Sequence, residues 1–517
     1  MSVYNQNRGG IIQIIIGTIF FLIVAQLVSL QVVSNKYKLA ADNNAIFRKI
    51  IYPDRGIIYD RKKRALLENT ISYDLVVIPN EAKGVDTTAL CNILHIDKAE
   101  YSKRIVEAII KNTRVKAGVF EPFLTPEIYA QLNENLYRFP GFSLSERSIR
   151  SYPYNTAALV LGYVAEVDVK FLKEHESEGY EMGDYAGMIG LEKNYETVLM
   201  GQRGVKRFLR DNKGKIQGPY EKGEFDTVAV AGKNLYTSID VQVQQLAEKL
   251  LQNKIGSAVA INPKTGGVIA MASSPSYNPN LLTGSQRRKT IGRLLLDTAR
   301  PIYNRAIKGQ YPPGSTFKPL GALIALDEGL ITPNYGYNCF GSYGACGDPR
   351  KCEHHNAGHA ANLQLALAYS CNSYFLQVFR MAIDNPKYKS AKEGYLKWKE
   401  YMNAFGFGRK LGIDLPSENK ANIPDTARYN KDFGNPKYWN SCYMLTLGIG
   451  QDRMTATPLQ LANSMAFIAN EGYYYTPHFV DSIESETEEE AAQLAPFRKK
   501  QKIYKESRLV ADKKKKP

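Results

Sequence analysis

The sequence predicts an α+β protein behind one transmembrane helix, and three observations predict it. An uncharged apolar run, Ile11 to Val33, lies near the N-terminus. A mixed region with helix-like stretches follows to about Gly232. From Leu235 onward a capped helix leads into two strand-length apolar runs separated by Asn-Pro-Lys-Thr-Gly.

The run "IIQIIIGTIFFLIVAQLVSLQVV" is long enough to span a bilayer. It exceeds the apolar core of a signal peptide, and no A-x-A cleavage site follows, so it reads as an uncleaved signal anchor at 11–33 behind a cytoplasmic N-terminus at 1–10. Arg8 on one side and Lys36 and Lys38 on the other leave its orientation undecided by charge counting, since long downstream domains translocate regardless.

The 517 residues are enough for two or three domains, and 44% hydrophobic residues with 34 Tyr and 20 Phe argue against disorder. The formal charge of +16 comes from 67 basic and 51 acidic side chains. No basic stripe is interleaved with aromatics, which excludes a nucleic-acid partner. Part of the excess sits in "RKKQKIYK" and "DKKKKP", and the rest fits work beside anionic lipid and an anionic polymer.

In "LYTSIDVQVQQLAEKLLQNK", Asp240 is the expected N-cap, and Val243, Leu246, Leu250 and Leu251 form one apolar face. "GSAVAI" and "GVIAMAS" then predict a hairpin. Its turn contains Lys264-Thr265-Gly266, with Lys264 expected at the tip, facing water.

"YPPGSTFKPLGALIALDEGL" predicts a helix starting near Ser315, with Phe317, Leu320 and Ile324 buried and Gly329 as a C-cap. Ser315 and Lys318, three apart, share a face with Cβ atoms about 5–6 Å apart. A serine hydroxyl becomes a nucleophile when a neighbouring base takes its proton, and a partly buried lysine can lose its charge to act as that base. The plain alternative is a capping serine and a surface lysine. "LQLALAYSCNSYFLQVF" reads as helix, break, helix, with Ser370, Cys371 and Asn372 at the break. Ser370 could relay a proton and Asn372 could hold a substrate amide; the alternative is an N-cap serine.

These segments, with "YPDRGIIYDR", "GMIGLEKNYE", "AINPKTGGVIAMASSPSYNPN" and "TATPLQLANSMAFIANEG", resemble the class B penicillin-binding proteins, most closely those of the elongation type. The resemblance runs from the anchor to about Val480. Its motif set is an established signature of that family and is not inferred from spacing. It implies a pedestal or dimerisation domain at 34–232 and a transpeptidase domain at 233–482 with the serine β-lactamase-like fold, helices around an antiparallel sheet. It further implies acyl transfer from a D-alanyl-D-alanine stem peptide through an acyl-enzyme, with Ser315 as nucleophile, Lys318 as base, and Ser370 and Asn372 as the second motif. β-Lactams would inhibit it, a RodA-type polymerase and an MreC-like scaffold would be partners, and the bulk of the chain would lie in the periplasm on the inner membrane. No cofactor is required for that chemistry.

In the family the catalytic Lys-Thr-Gly follows the second motif, yet none occurs after Asn372, and Lys264–Gly266 precedes Ser315. The resemblance therefore implies a domain incomplete at its C-terminal end, with 483–517 a charged, solvated tail. A catalytically incomplete scaffold for the polymerase is the alternative function, and a hydrolase on the same fold a third.

Five of six cysteines fall between Cys339 and Cys442, among His354, His355 and His359. A zinc site, disulfides and simple thiols compete. The metal set that best braces the loop is Cys339, Cys352, His359 and Cys371, with Cys346 as substitute; as a disulfide, Cys346 pairs more easily with Cys352.

Overall fold

The computed structural model describes residues 6–28, 46–112, 114, 117–180, 184–210, 216–284, 287–353, 358–434 and 440–502. His354, His355 and residues 29–33 of the expected anchor lie outside them. The chain falls into two compact units interleaved in sequence. The first is drawn from Met1–Arg55, Asp74–Ser145 and Met200–Gly232, the second from Gly56–Tyr73, Glu146–Leu199 and Lys233–Pro517.

In the first unit, helix α1 (Gln6–Val28) contains a window, Gly10–Leu27, that is wholly exposed and long and apolar enough to cross a membrane. A three-stranded antiparallel sheet joins Ile46–Ile51, Gly204–Arg210 and Ile216–Pro219. A helical layer includes Thr87–Leu94, which Asp86 caps through the Ala89 N–H. Phe120 and Phe142 meet edge to face at 5.2 Å in its core.

In the second unit, β1 (Ile58–Tyr59) pairs antiparallel with the start of β2 (Ala65–Val77) and parallel with β3 (Leu235–Thr237). Arg150 is buried behind this edge. Its Nε donates to Glu192 at 2.6 Å, and its other nitrogens donate to the Asn69 side chain and the Gly56 carbonyl, both at 2.8 Å. A guanidinium so enclosed is tolerated because every fork of it has an acceptor.

Helix α2 (Val241–Leu250) begins at Asp240, whose carboxylate accepts from the Gln242 N–H. The expected apolar face is a correction: Val243, Leu246 and Leu250 are exposed and Leu251 is half-buried, while Val241 and Gln244 are buried. Gln244 decides this. Its amide accepts from the Met271 N–H at 2.8 Å and donates to the Met271 carbonyl at 3.0 Å, satisfying a strand edge that an apolar side chain would leave unpaired. That strand belongs to the hairpin of β4 (Gly256–Ile261) and β5 (Val268–Ser274). Lys264 is exposed at its turn, as expected. Gly266, at φ +85°, passes so close to Tyr475 that a Cβ would lie 2.6 Å from the tyrosine Cβ.

Next come α3 (Lys318–Asp327), a two-pair ribbon of β6 (Ser342–Tyr343) and β7 (Arg350–Lys351), α4 (Leu363–Ala368), α5 (Asn372–Ile383) and α6 (Pro458–Ala469). Phe317, Leu320 and Ile324 enter the main core beside Trp398, Met402 and Phe405. Ala322 and Ala325 face a second cluster with Cys339, Cys352, Cys371, Tyr374 and Phe375. Helix α3 is thus buried on two sides.

The expected solvated tail, 483–517, is a second correction over 483–502; residues 503–517 lie outside the described residues. After β8 (Tyr473–Tyr475) and β9 (Val480–Ile483), the chain forms α7 (Glu488–Arg498) and β10 (Lys500–Lys502), which pairs with β8. Thr487 and Glu490 make a reciprocal capping box, three glutamates occupy the first turn, and Leu494 is buried. Lys233 holds Glu490 at 2.7 Å. The acidic block that suggests a tail supplies the helix's cap and its ion pairs.

Replacing Glu192 by Ala leaves the Arg150 guanidinium buried without its anion. We expect a loss of about 3–5 kcal/mol, read as a lower unfolding midpoint, much of it recovered by Arg150→Met with Glu192→Leu.

Candidate active site

Ser315 lies exposed on a 3₁₀ turn, Gly314–Phe317, and α3 proper begins three residues later at Lys318. The expected single helix is therefore a tight turn followed by a helix. Pro313 sets φ for the turn, Thr316 Oγ1 closes back on the Pro313 carbonyl at 2.6 Å, and the Lys318 N–H donates to the Ser315 carbonyl. This turn presents the Ser315 side chain at the surface while Lys318 is drawn inside, 1% exposed.

Lys318 Nζ donates to the Ser370 carbonyl at 2.6 Å, the Ser370 Oγ at 2.9 Å and the Asn372 Oδ1 at 2.7 Å. Ser370 and Asn372 reach it from the break between α4 and α5. There Ser370 takes a positive φ of 50°, and Cys371 caps α5 by accepting the Tyr374 N–H. The left-handed turn aims both oxygens of Ser370 at one point. Burial lowers the Lys318 pKa from its ordinary 10.5, against the opposing pull of Cys352, Cys371 and Glu353. An ammonium has three protons, and all three are used. When one leaves, two hydrogen bonds remain and the free lone pair can accept from a hydroxyl.

The Ser315 turn is seated by the segment 441–456. The Gly314 N–H donates to the Gly450 carbonyl at 2.8 Å, and Tyr311 and Ala456 exchange backbone hydrogen bonds at 3.0 and 2.8 Å. Gly450 has φ +68°, and a Cβ there would overlap the Gly314 carbonyl and Phe317. Only its place after the apolar run "YMLTLGI", where glycine ends a helical segment, hints at this from sequence.

Beside the trio, Cys339, Cys352, His359 and Cys371 are all buried, with one ligand atom of each within 4.8 Å of the others. These are the four residues expected as a metal set. The substitute, Cys346, forms a disulfide with Cys442, which corrects the Cys346–Cys352 pairing. Burial pushes the Cys371 thiol up to about 12. The donors suit zinc: a tetrahedron with Zn–S of about 2.3 Å separates sulfurs by about 3.8 Å, and Cys352 Sγ and Cys371 Sγ stand 3.8 Å apart. A second signal escaped sequence reading. Asn372 Nδ2 donates to the backbone carbonyl of Lys351 at 3.2 Å, and a backbone partner leaves no residue-type signature.

The family model of the penicillin binding protein transpeptidase domain matches residues 256–511, and that of the penicillin-binding protein dimerisation domain matches residues 50–237. The first runs well past Val480, where the sequence pattern is read as dissolving. A relative from Haemophilus influenzae, peptidoglycan D,D-transpeptidase MrdA, is 32% identical over 88% of this chain and 69% of its own length. The Pseudomonas aeruginosa PBP2 structure in complex with WCK 5153 matches at 26% identity, with a TM-score of 0.60 over 85% of this chain and 74% of that one. A Helicobacter pylori complex of PBP2 with MreC shares the fold at 24% identity, with a TM-score of 0.69 over 88% and 83%. These matches define the class, a penicillin-binding protein with dimerisation and transpeptidase domains. The chain belongs to the peptidoglycan D,D-transpeptidase family within that class.

Gly450→Ala should push the Ser315 turn off its seat. Since misplacement by about 1 Å costs on the order of a hundredfold, labelling by a fluorescent penicillin is expected to slow between about tenfold and a hundredfold, with the fold retained by circular dichroism.

Proposed function

We propose that this protein crosslinks peptidoglycan stem peptides by a serine acyl-enzyme mechanism during cell-wall elongation, with Ser315 as nucleophile. The observation that carries the reading is the buried Lys318 amine held between Ser370 and Asn372, three residues from an exposed serine.

Neutral Lys318 takes the Ser315 proton as Oγ attacks the carbonyl of the penultimate D-alanine. The Ser370 hydroxyl passes a proton to the departing D-alanine nitrogen and is recharged from Lys318, so the C–N bond breaks as the Ser315 ester forms. The Asn372 amide hydrogen-bonds the stem peptide's backbone. In the second half, the acceptor amine attacks the ester, its proton returns along the same path, and Ser315 is released. β-Lactams would acylate the same oxygen.

The four-residue cluster is proposed as a structural zinc site. Zinc bound there would brace the loop between Cys339 and Cys371, on which Ser370 and Asn372 depend. The helix α1 would anchor the chain in the inner membrane with its bulk in the periplasm. A RodA-type polymerase and an MreC-like scaffold are the partners proposed; in the H. pylori structure PBP2 is in complex with MreC.

A fluorescent penicillin should label the full chain and not its Ser315→Ala variant. Labelling should accelerate as pH rises and Lys318 becomes neutral, with a midpoint below 10.5. Equal labelling of both proteins would end the assignment. Elemental analysis should find about one zinc per chain, lost in Cys371→Ser together with thermal stability; a folded protein without zinc would refute the metal site.

A further inference from the structure

The Cys346–Cys442 disulfide joins residues 96 apart in sequence, and each end belongs to an element that touches the active site. Cys346 lies in the loop of the β6–β7 ribbon. Cys442 lies in the 3₁₀ segment Ser441–Ile449, which packs against α5 and leads into Gly450. Gly450 seats Gly314, the residue before Ser315. The ribbon's last residue, Lys351, offers its carbonyl to Asn372 Nδ2 at 3.2 Å.

That carbonyl matters because the Asn372 amide has two ends. Oδ1 accepts from Lys318 Nζ at 2.7 Å, and Nδ2 donates to Lys351. With both partners present the amide has one orientation. Without the Lys351 carbonyl the side chain is free to turn, and Lys318 loses an acceptor for part of the time. The ribbon cannot hold that carbonyl by itself. It consists of two residue pairs, Ser342–Lys351 and Tyr343–Arg350, and both side chains of β7 are exposed. A two-stranded ribbon is at best marginal in water. Its fasteners include the buried ring of Tyr343, whose Oη donates to Gln377 at 2.9 Å, the Cys352 N–H on the Gly341 carbonyl at 2.9 Å, Arg380 on the Ala345 carbonyl at 3.4 Å, and the disulfide at its tip.

We propose that the Cys346–Cys442 disulfide is a positioning element of the transpeptidase reaction. It clamps the β6–β7 ribbon to the segment that seats the Ser315 turn, so that the Lys351 carbonyl holds the Asn372 amide toward Lys318. The proposal rests on the roles given above to Ser315, Lys318 and Asn372.

The test is a double-mutant cycle on the detergent-solubilised full chain, reading the second-order rate of acylation by a fluorescent penicillin. Removing the clamp with Cys346→Ser and Cys442→Ser together should slow acylation about three- to tenfold, the worth of one hydrogen bond. In an Asn372→Ala background the same pair should change the rate less than about twofold, since the group it positions is gone. An equal loss in both backgrounds, or no loss in either, overturns the proposal. Should the double serine variant fail to fold, opening the disulfide in the folded full chain with a phosphine reductant removes the same clamp, and its effect should likewise vanish without Asn372. Normal acylation of Asn372→Ala, or labelling of Ser315→Ala, would instead overturn the underlying assignment of the site.

Discussion

The site is organised around a lysine amine taken out of water. Lys318 is 1% exposed, and burying an ammonium costs several kcal/mol unless its protons find acceptors. Three acceptors converge on it, two from Ser370 and one from Asn372, from a chain segment more than fifty residues away. Ser370 adopts a positive φ to do so, a conformation costing about 1–3 kcal/mol in a residue with a Cβ. Hydrogen bonds to a charged group, about 1.5–3 kcal/mol each, offset it. The strain, the helix break and the buried charge are one arrangement, and its consequence is chemical. A lysine so enclosed is easier to deprotonate, and it gives up a proton into a space bordered by hydroxyls.

Long loops here are held by polar joints rather than by apolar surface alone. The Arg150–Glu192 pair locks the edge of the second unit's sheet, and Gln244 lends its amide to a strand edge. Asp414 accepts from the backbone N–H groups of Phe479 and Val480 at 2.8 and 2.9 Å, fixing the start of β9. Around the site the same role falls to sulfur, with four buried side chains of the thiol and imidazole cluster at the ribbon's base and a disulfide at its tip. Segments without regular structure need such joints, because they have few ladder hydrogen bonds to define a path.

Local features were legible in the sequence wherever one helical turn or one strand decides them. The Asp240 cap, the hairpin around Lys264, the buried stripe of Phe317, Leu320 and Ile324, and the break at Ser370 all follow from periodicity and capping. The face of α2 did not, since Val243, Leu246 and Leu250 are regularly spaced yet exposed. A buried glutamine outweighs three leucine-like contacts when the alternative is an unsatisfied strand edge. The helix at Glu488–Arg498 is hidden for a related reason, because blocks of charge mask a capping box and one buried leucine.

By itself, then, the sequence determined which chemical groups are available and their short-range spacing: Ser315 three before Lys318, Ser370 two before Asn372, and cysteines and histidines crowded between them. Tertiary structure alone decided which distant groups meet. It brought Lys318 to Ser370, drew Cys339, Cys352, His359 and Cys371 together, paired Cys346 with Cys442, and set the Lys351 carbonyl against Asn372. The reason is entropic. The cost of closing a loop grows only with the logarithm of its length, so separation along the chain barely distinguishes one distant partner from another. Packing of the intervening elements makes the choice.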